Sequence, residues 1–283
     1  MEQHKFDLHM HSNRSDGYDA PSQVVKNAKA ESIGLMALTD HDCTEGVLEA
    51  VQEGKVCGVV VLPAVEMDTE WPVELHILGL DIDINHPRLV VALDIARQRR
   101  TERNTVIFEK LLKVGCDVRP YLANSTGSIT RMHIAMALVN GGFATDVRDA
   151  FARYLRRGCP GFYAVRRFTP EEVIDTLTAA GGVPVWAHPF HCGESIHKLS
   201  DQLVSDGIMG IEAYHSSSTE GQSEILLSIA KQRGLLVTCG SDSHGKNRPG
   251  VTIGCTWRDT PELNETYMLF MGRRQSRLDT DSM

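Results

Sequence analysis

Seven short apolar runs, each closing on an aspartate or a histidine, restrict the fold of this sequence more than any other feature. They cover residues 6–11, 35–42, 59–68, 75–83, 183–188, 210–215 and 235–244, and end on His11, Asp42, Asp68, Asp83, His188, His215 and His244. Short runs rich in β-branched residues, separated by amphipathic stretches, predict βα units and a mainly parallel sheet. The helices between them carry their own start signals. Pro21 opens one over 21–32, and Thr169-Pro170-Glu171-Glu172 opens another over 169–180 with a capping hydroxyl, a first-turn proline and carboxylates at the positive dipole end. Seven strands bearing ligand-type residues at their carboxyl ends describe an α/β barrel better than an open sheet.

Residues 87–165 break this rhythm. The segment opens on a helical pattern holding Arg97, Arg99, Arg100 and Arg103, continues through Thr130-Arg131-Met132-His133, and offers no buried strand. It is expected to be a small helical insertion domain or cap between two barrel segments, 1–86 and 166–270. The polar tail 271–283 is expected to be disordered.

Composition narrows the partners. A chain of 283 residues with 42% apolar content can bury a full core. Its formal charge of -8 argues against the broad basic face that duplex DNA requires, so an anionic substrate must be met locally. No apolar run is long enough for a membrane helix, and MEQHKFDLHMH lacks the layout of a signal peptide, so a cytoplasmic location is expected. Cys43, Cys57, Cys116, Cys159, Cys192, Cys239 and Cys255 are scattered and odd in number; they read as buried apolar residues rather than disulfides or a thiolate metal site.

The strand ends carry the chemistry. His9 and His11 lie two residues apart, so both project from one face of a strand while Phe6, Leu8 and Met10 face the core. Asp7 shares the histidine face and can orient a ligand imidazole. Further along stand Asp40-His41-Asp42, Glu66 and Asp68, His76, His188, and Asp242 with His244. Charged groups at strand ends are poor choices for stability and good ones for cations. Imidazole mixed with carboxylate suits zinc, manganese or iron.

In order and spacing, His9-Met10-His11, Asp16, Asp40-His41-Asp42, Glu66, His76, His188 and Asp242-Ser243-His244 resemble the polymerase and histidinol phosphatase (PHP) family of metallo-phosphoesterases. The resemblance runs from residue 6 to residue 254. It implies a distorted (β/α)7 barrel holding two or three divalent ions. Position by position, His9, His11, Glu66 and Asp242 would hold the first ion, Glu66 would bridge to a second on His76 and His188, and Asp16, His41 and His244 would hold a third. Three divalent ions against three ligand carboxylates leave about three positive charges in the cleft, enough to attract phosphate to an acidic protein.

The implied reaction is hydrolysis of a phosphomonoester by a hydroxide bridging the ions, with Asp42 and His215 as candidate acids for the leaving group. Thr130-Arg131-Met132-His133, followed later by Tyr214-His215, resembles the subgroup that removes the 3′ phosphate of 3′,5′-bisphosphonucleotides or degrades short RNA from its 5′ end. There Arg131 would clamp a phosphate that is not cleaved, because a guanidinium binds phosphate as a fixed fork. His133, His215, Arg166 (beside Arg167) and Arg248 are further candidate substrate contacts. The expected partner is a small phosphorylated molecule, a nucleotide or a short RNA end. A histidinol-phosphate phosphatase is an alternative that needs no second clamp. A metal-dependent amidohydrolase is another, but those barrels often use a carboxylated lysine, and neither the third nor the fourth apolar run contains one.

Overall fold

The computed structural model describes residues 5–72, 74–122 and 128–281. Seven strands lie side by side in chain order: β1 (Phe6–Asp7), β2 (Leu35–Leu38), β3 (Val60–Asp68), β4 (His76–Leu80), β5 (Val183–Trp186), β6 (Gly210–His215) and β7 (Leu236–Gly240). Every residue of β2, β4 and β5 is buried, as expected of strands covered on both faces. Backbone bonds from Leu8 N to Cys239 O (3.1 Å), Asp242 N to His9 O (2.8 Å) and His11 N to Ser243 O (3.0 Å) bring β1 against β7. The sheet therefore curls into a nearly closed barrel.

Asp7 stands at that seam. Its carboxylate accepts from the amides of Ser241 (3.0 Å), Gly254 (2.7 Å) and His9 (3.3 Å). These backbone bonds secure the closure, and Asp7 does not orient an imidazole as the sequence suggested.

The mainly parallel pattern holds on both sides of the sheet, but β4 runs antiparallel to β3 and to β5. The reason is covalent reach. A parallel return needs a crossover of a dozen or more residues, and the link 69–75 is too short for one, so the chain turns straight back as a hairpin. His76 consequently begins its strand instead of ending it. Paired across from Asp68, it still reaches the same rim.

The helices are α1 (Pro21–Ala30), α2 (Val47–Cys57), α3 (Pro87–Lys113), α4 (Arg131–Asn140), α5 (Val147–Ala150), α6 (Pro170–Ala179), α7 (Ile196–Ser205), α8 (Glu220–Arg233) and α9 (Pro261–Asp281). The α6 start matches its sequence signals: Thr169 accepts from Glu172 N while Glu172 reaches back to Thr169 N, a reciprocal capping box. Gly79 of β4 lets α6 lie close, since a Cβ there would overlap Leu177. The main core joins Phe6, Leu35, Leu78, Leu177, Val185, Ile211 and Leu226 between strands and helices.

Between β4 and β5 the chain is helical, and among the described residues of 87–165 there is no strand. This stretch has an apolar cluster of its own, built on Ile107, Leu111, Ile134, Leu138, Ala150 and Leu155. Helix α3 links the two cores: Leu89 and Leu93 enter the barrel core, while Ile107 and Leu111 enter the second cluster. At 27 residues and about 1.5 Å per residue it is roughly 40 Å long, which carries it from one to the other.

The tail departs from the expected disorder. Helix α9 continues to Asp281, and residues 282–283 lie outside the described residues. Three contacts hold α9 against the barrel. Thr266 donates to Val237 O (2.5 Å), and Arg273 reaches Asp81 (2.6 Å) and Gly181 O (2.5 Å). The cysteines are all free; Cys57 and Cys159 are half-buried and Cys255 is exposed, against the expectation that all seven are core residues. No helix among the described residues is long and apolar enough to cross a membrane.

Candidate active site

The rim where β1, β2, β3, β5, β6 and β7 end collects the predicted ligands. His9 and His11 follow β1, His41 follows β2, Glu66 lies in β3, and His188 follows β5; Asp242 and His244 follow β7. Asp16 arrives on a loop whose shape Asp40 sets by accepting from Ser12 N (2.8 Å), Ser12 Oγ (2.6 Å) and Ser15 Oγ (2.6 Å). Asn247 donates to Asp16 O (2.9 Å) and holds the loop from the other side. His188 (φ 29°), Asp242 (φ 55°) and Asp42 (φ 47°) adopt left-handed backbone conformations that ordinary residues rarely occupy. Such strain gathers at sites where direction matters more than local stability.

Glu66 is the centre. Its Oε2 lies 3.4 Å from His9 Nε2, 3.3 Å from His11 Nε2 and 3.0 Å from His41 Nδ1, while its Oε1 lies 2.8 Å from His76 Nδ1 and 3.0 Å from His188 Nε2. One carboxylate thus faces two groups of rings. Asp242 Oδ1 approaches His11 Nε2 (3.2 Å) and His9 Nε2 (3.5 Å), and Asp16 Oδ1 approaches His244 Nε2 (3.2 Å). His11, Asp16, His41 and His244 present donor atoms within 4.8 Å of one another; so do His9, His11 and Glu66, and likewise His41, Glu66 and His76. Glu74 joins His76 and His188 in a further such group.

These atoms lack conventional partners. His9 Nε2, His11 Nε2, His41 Nδ1, His188 Nδ1, Asp16 Oδ1 and Glu66 Oε2 are buried without a hydrogen bond. A buried polar atom left unsatisfied costs about 1–3 kcal/mol, so six in one cleft are a heavy local cost unless a cation completes them. Electrostatics points the same way. Burial alone would depress His11, but Asp242 and Glu66 outweigh it and raise the ring to about 10; Glu66 and Asp68 do the same for His76. Glu66 and Asp16 are held well below the usual carboxylate range, against burial, by surrounding histidines. The cleft is built to stabilise positive charge, and neutral imidazole with carboxylate is a donor set that fits divalent ions. Burial pushes His188 down to about 4, leaving that ring neutral at pH 7.

Glu212, absent from the sequence reading, orients two of these groups. It accepts from His9 Nδ1 (3.0 Å), which turns His9 Nε2 into the cleft, and from His188 N (2.8 Å). Gly240 makes room for it, because a Cβ there would overlap both Glu212 and His9. No local pattern marks it in the sequence: it is a single carboxylate inside an apolar run, and its full burial shows only in the fold.

A wall of arginines adjoins the cleft. Asp68 Oδ1 lies 3.3 Å from His76 Nε2, and its Oδ2 lies 3.3 Å from Arg167 and 3.8 Å from Arg100. Asp42 pairs with Arg100 and accepts from Asp68 N (3.2 Å), so it anchors a guanidinium and is not a free acid. Arg103 is buried, bonding Asn104 Oδ1 (2.9 Å) and Ile129 O (3.4 Å); burial, then Arg100 and Arg131, lower it to about 9. Arg131 donates to Tyr163 O (3.0 Å), its Nε is buried without a partner, and burial followed by Arg167 lowers it too. His133 caps α4 by accepting from Thr130 N (3.1 Å). Arg166 is exposed, whereas Arg167 makes the inward ion pair. Arg248 pairs with Asp242, and His215 Nε2 lies 3.3 Å from Asp242 Oδ2.

Comparison with known proteins agrees with this geometry. The PHP-domain family model matches residues 7–157. A 5′-3′ exoribonuclease from Haemophilus influenzae is 34% identical, the match covering 85% of this chain and 90% of that one. A 3′,5′-nucleoside bisphosphate phosphatase from Chromobacterium violaceum is 33% identical over 91% of this chain and 93% of its own. A solved structure from Chromobacterium violaceum, described as an amidohydrolase with bound sulfate and no metal, superposes with a TM-score of 0.84 at 33% identity, covering 92% of this chain and 93% of that one. With its curled seven-stranded sheet, its histidine and carboxylate rim and these relatives, the chain belongs to the PHP-domain family and is a metal-dependent phosphoester hydrolase.

Proposed function

We propose that this protein removes the 3′ phosphate of a 3′,5′-bisphosphonucleotide, with two or three manganese, zinc or iron ions at the rim. The observation that carries the reading is the arginine wall. Arg100, Arg103, Arg131 and Arg167 gather beside the cleft against the carboxylates of Asp42 and Asp68. Four guanidinium groups facing two carboxylates leave an excess of positive charge that suits a second phosphate, one that is held and not cleaved.

His9, His11, Glu66 and Asp242 would hold one ion, Glu66 with His76 and His188 a second, and Asp16, His41 and His244 a third, with His11 adjacent. When bound, the ions supply Lewis acidity and lower the pKa of water. The protein's own groups do the rest. Arg131, Arg167 and Arg103 hold the distal phosphate, and Arg248 and His133 reach toward the nucleotide. As water's oxygen attacks phosphorus and the P–O bond to the ribose breaks, its electron pair stays on the leaving oxygen, which accepts a hydrogen bond from His215 Nε2 and takes up the proton that the water gives away. Asp42 holds Arg100 in place. The segment 87–165 serves as a cap that keeps bulk water from the cleft. A cytoplasmic setting fits the seven free cysteines.

A second reading, exonucleolytic cleavage of short RNA from its 5′ end, is favoured by the relative from Haemophilus influenzae and by a cavity of about 400 Å³ beside Arg100, lined by Leu93, Asn104, Phe108 and Ile129. Release of inorganic phosphate and of mononucleotide, followed together across 3′,5′-bisphosphoadenosine, 5′-phosphorylated tetraribonucleotide and histidinol phosphate, separates the readings. The bisphosphonucleotide should turn over fastest. Preference for the RNA would replace the mononucleotide reading, and preference for histidinol phosphate would remove the clamp.

A further inference from the structure

The cavity of about 400 Å³ beside Arg100 runs along one face of α3, between the part of the helix that enters the barrel core and the part that enters the second cluster. Leu93, Thr101, Thr105 and Phe108 recur along that face at helical spacing, and Ser128 and Ile129, just ahead of α4, also line the space. Its size falls within the range of about 300–1,000 Å³ usual for small-molecule sites.

Charge and position together narrow the occupant. The charged groups at the cavity are committed to one another: Arg97 pairs with Glu45 (3.2 Å) and Asp94 (2.7 Å), and Arg100 pairs with Asp42. Leu93 and Ile129 add apolar surface and Phe108 an aromatic ring. Such a lining suits a flat, uncharged ring better than a phosphate. Asp42 and Arg100 line this cavity and also the neighbouring pocket that holds Arg103 and Arg167. Asp42 directly follows the rim histidine His41. A group in the cavity therefore lies next to both the place of the held phosphate and the rim.

We infer that this cavity receives the nucleobase of the substrate and accepts any of the four common bases. The inference rests on the reading of that substrate as a 3′,5′-bisphosphonucleotide. Choosing one base requires donors and acceptors in a fixed pattern, and the carboxamide at the cavity is already spent. Asn104 Oδ1 accepts from Arg103 (2.9 Å), and its Nδ2 donates to Ile129 O (2.8 Å). The hydroxyls of Thr101, Thr105 and Ser128 remain, and a hydroxyl can turn to donate or to accept. Stacking on Phe108 is equally open to every base, since each has a π face. A mere packing gap between two cores would leave the same space, but it would not make turnover depend on a base.

The test compares kcat/KM for the 3′,5′-bisphosphates of adenosine, guanosine, cytidine and uridine with that for 1-deoxyribose 3,5-bisphosphate, which carries both phosphates and no base. Removing the base should cost roughly 5- to 150-fold, the worth of one stacked base, while the four nucleotides stay within about tenfold of one another. Thr105→Trp fills the cavity from an exposed helical position, and it should cut the advantage of the nucleotide over the base-free compound to below about threefold. Phe108→Leu keeps apolar bulk without the ring and should shrink that advantage by about threefold or more. Equal rates with and without a base in the parent protein, or an advantage that survives Thr105→Trp, would overturn the base pocket. So would a preference above about 100-fold for one base, the mark of a fixed hydrogen-bonding pattern. Any of these leaves the nucleotide reading standing; no phosphate release from any of the four nucleotides removes both.

Discussion

The rim of the barrel and the arginine wall beside it solve opposite electrostatic problems. At the rim, carboxylates surround histidine nitrogens and leave buried atoms without a hydrogen bond, a setting that suits a positive charge. In the wall, guanidinium groups crowd together and burial depresses Arg103 and Arg131, a setting that suits an anion. The two meet at Asp68, which faces His76 on one side and Arg167 on the other. A phosphate ester carrying a second phosphate satisfies both at once. On the proposed function, reaction chemistry falls to strand ends on the barrel and substrate choice largely to side chains around α3 and α4.

The sharpest way to break that division is at the rim. Glu66→Gln keeps the shape of the central group and halves its power to bridge. Partners outside the ligand shell are worth 10- to 100-fold, so losing the bridging carboxylate should cost more than about 100-fold in turnover and deplete metal together with activity. Retained turnover with full metal content would remove Glu66 from the centre. Glu212→Gln should cost less, about 10- to 100-fold, because it disturbs only the orientation of His9 and His188.

In the wall the expected effect is selective. A hydrogen bond to a charged group contributes about 1.5–3 kcal/mol, so Arg131→Ala should lower kcat/KM for a bisphosphonucleotide by roughly 10- to 150-fold. The same variant should leave 4-nitrophenyl phosphate within about threefold, since no distal phosphate is engaged. Equal losses on the two would assign Arg131 to folding or to general electrostatics.

The smallest effect concerns pH. In protein stripped of metal, His11 and His76 titrate near 10 when folded against 6.5 when unfolded. A raised basic pKa contributes stability that is fully present below the unfolded value and is lost as pH rises through the folded one. The melting temperature of stripped protein should therefore fall between about pH 6.5 and 10. Metal-loaded protein, in which ions take the place of those protons, should hold its melting temperature through that window. Parallel melting curves would contradict the exchange of protons for metal.

Much of the rim was legible in the chain because strand periodicity places alternate residues on one face. The pair His9 and His11, and the strand-end positions of His41, Glu66, His188 and Asp242, follow from that rule. The reversal of β4 was not legible, since an apolar run reads the same in either direction; only the short link 69–75 hinted at it. Glu212 was hidden for another reason. A lone carboxylate in Gly210-Ile211-Glu212-Ala213 declares nothing until folding sets His9 beside it. Asp42 looked like a free acid from its place after His41, yet Arg100, 58 residues away, claims it. The tail read as disordered by composition, and its order depends on Asp81 and Gly181, contacts no local pattern records.

The measurement that bears most directly on the central claim is a titration of Mn²⁺ into chelator-stripped protein, following bound ions per chain and phosphate released from 3′,5′-bisphosphoadenosine in the same samples. Turnover should be absent without metal and should rise only as two or more ions bind per chain. Full turnover from protein that holds no ion would contradict the account.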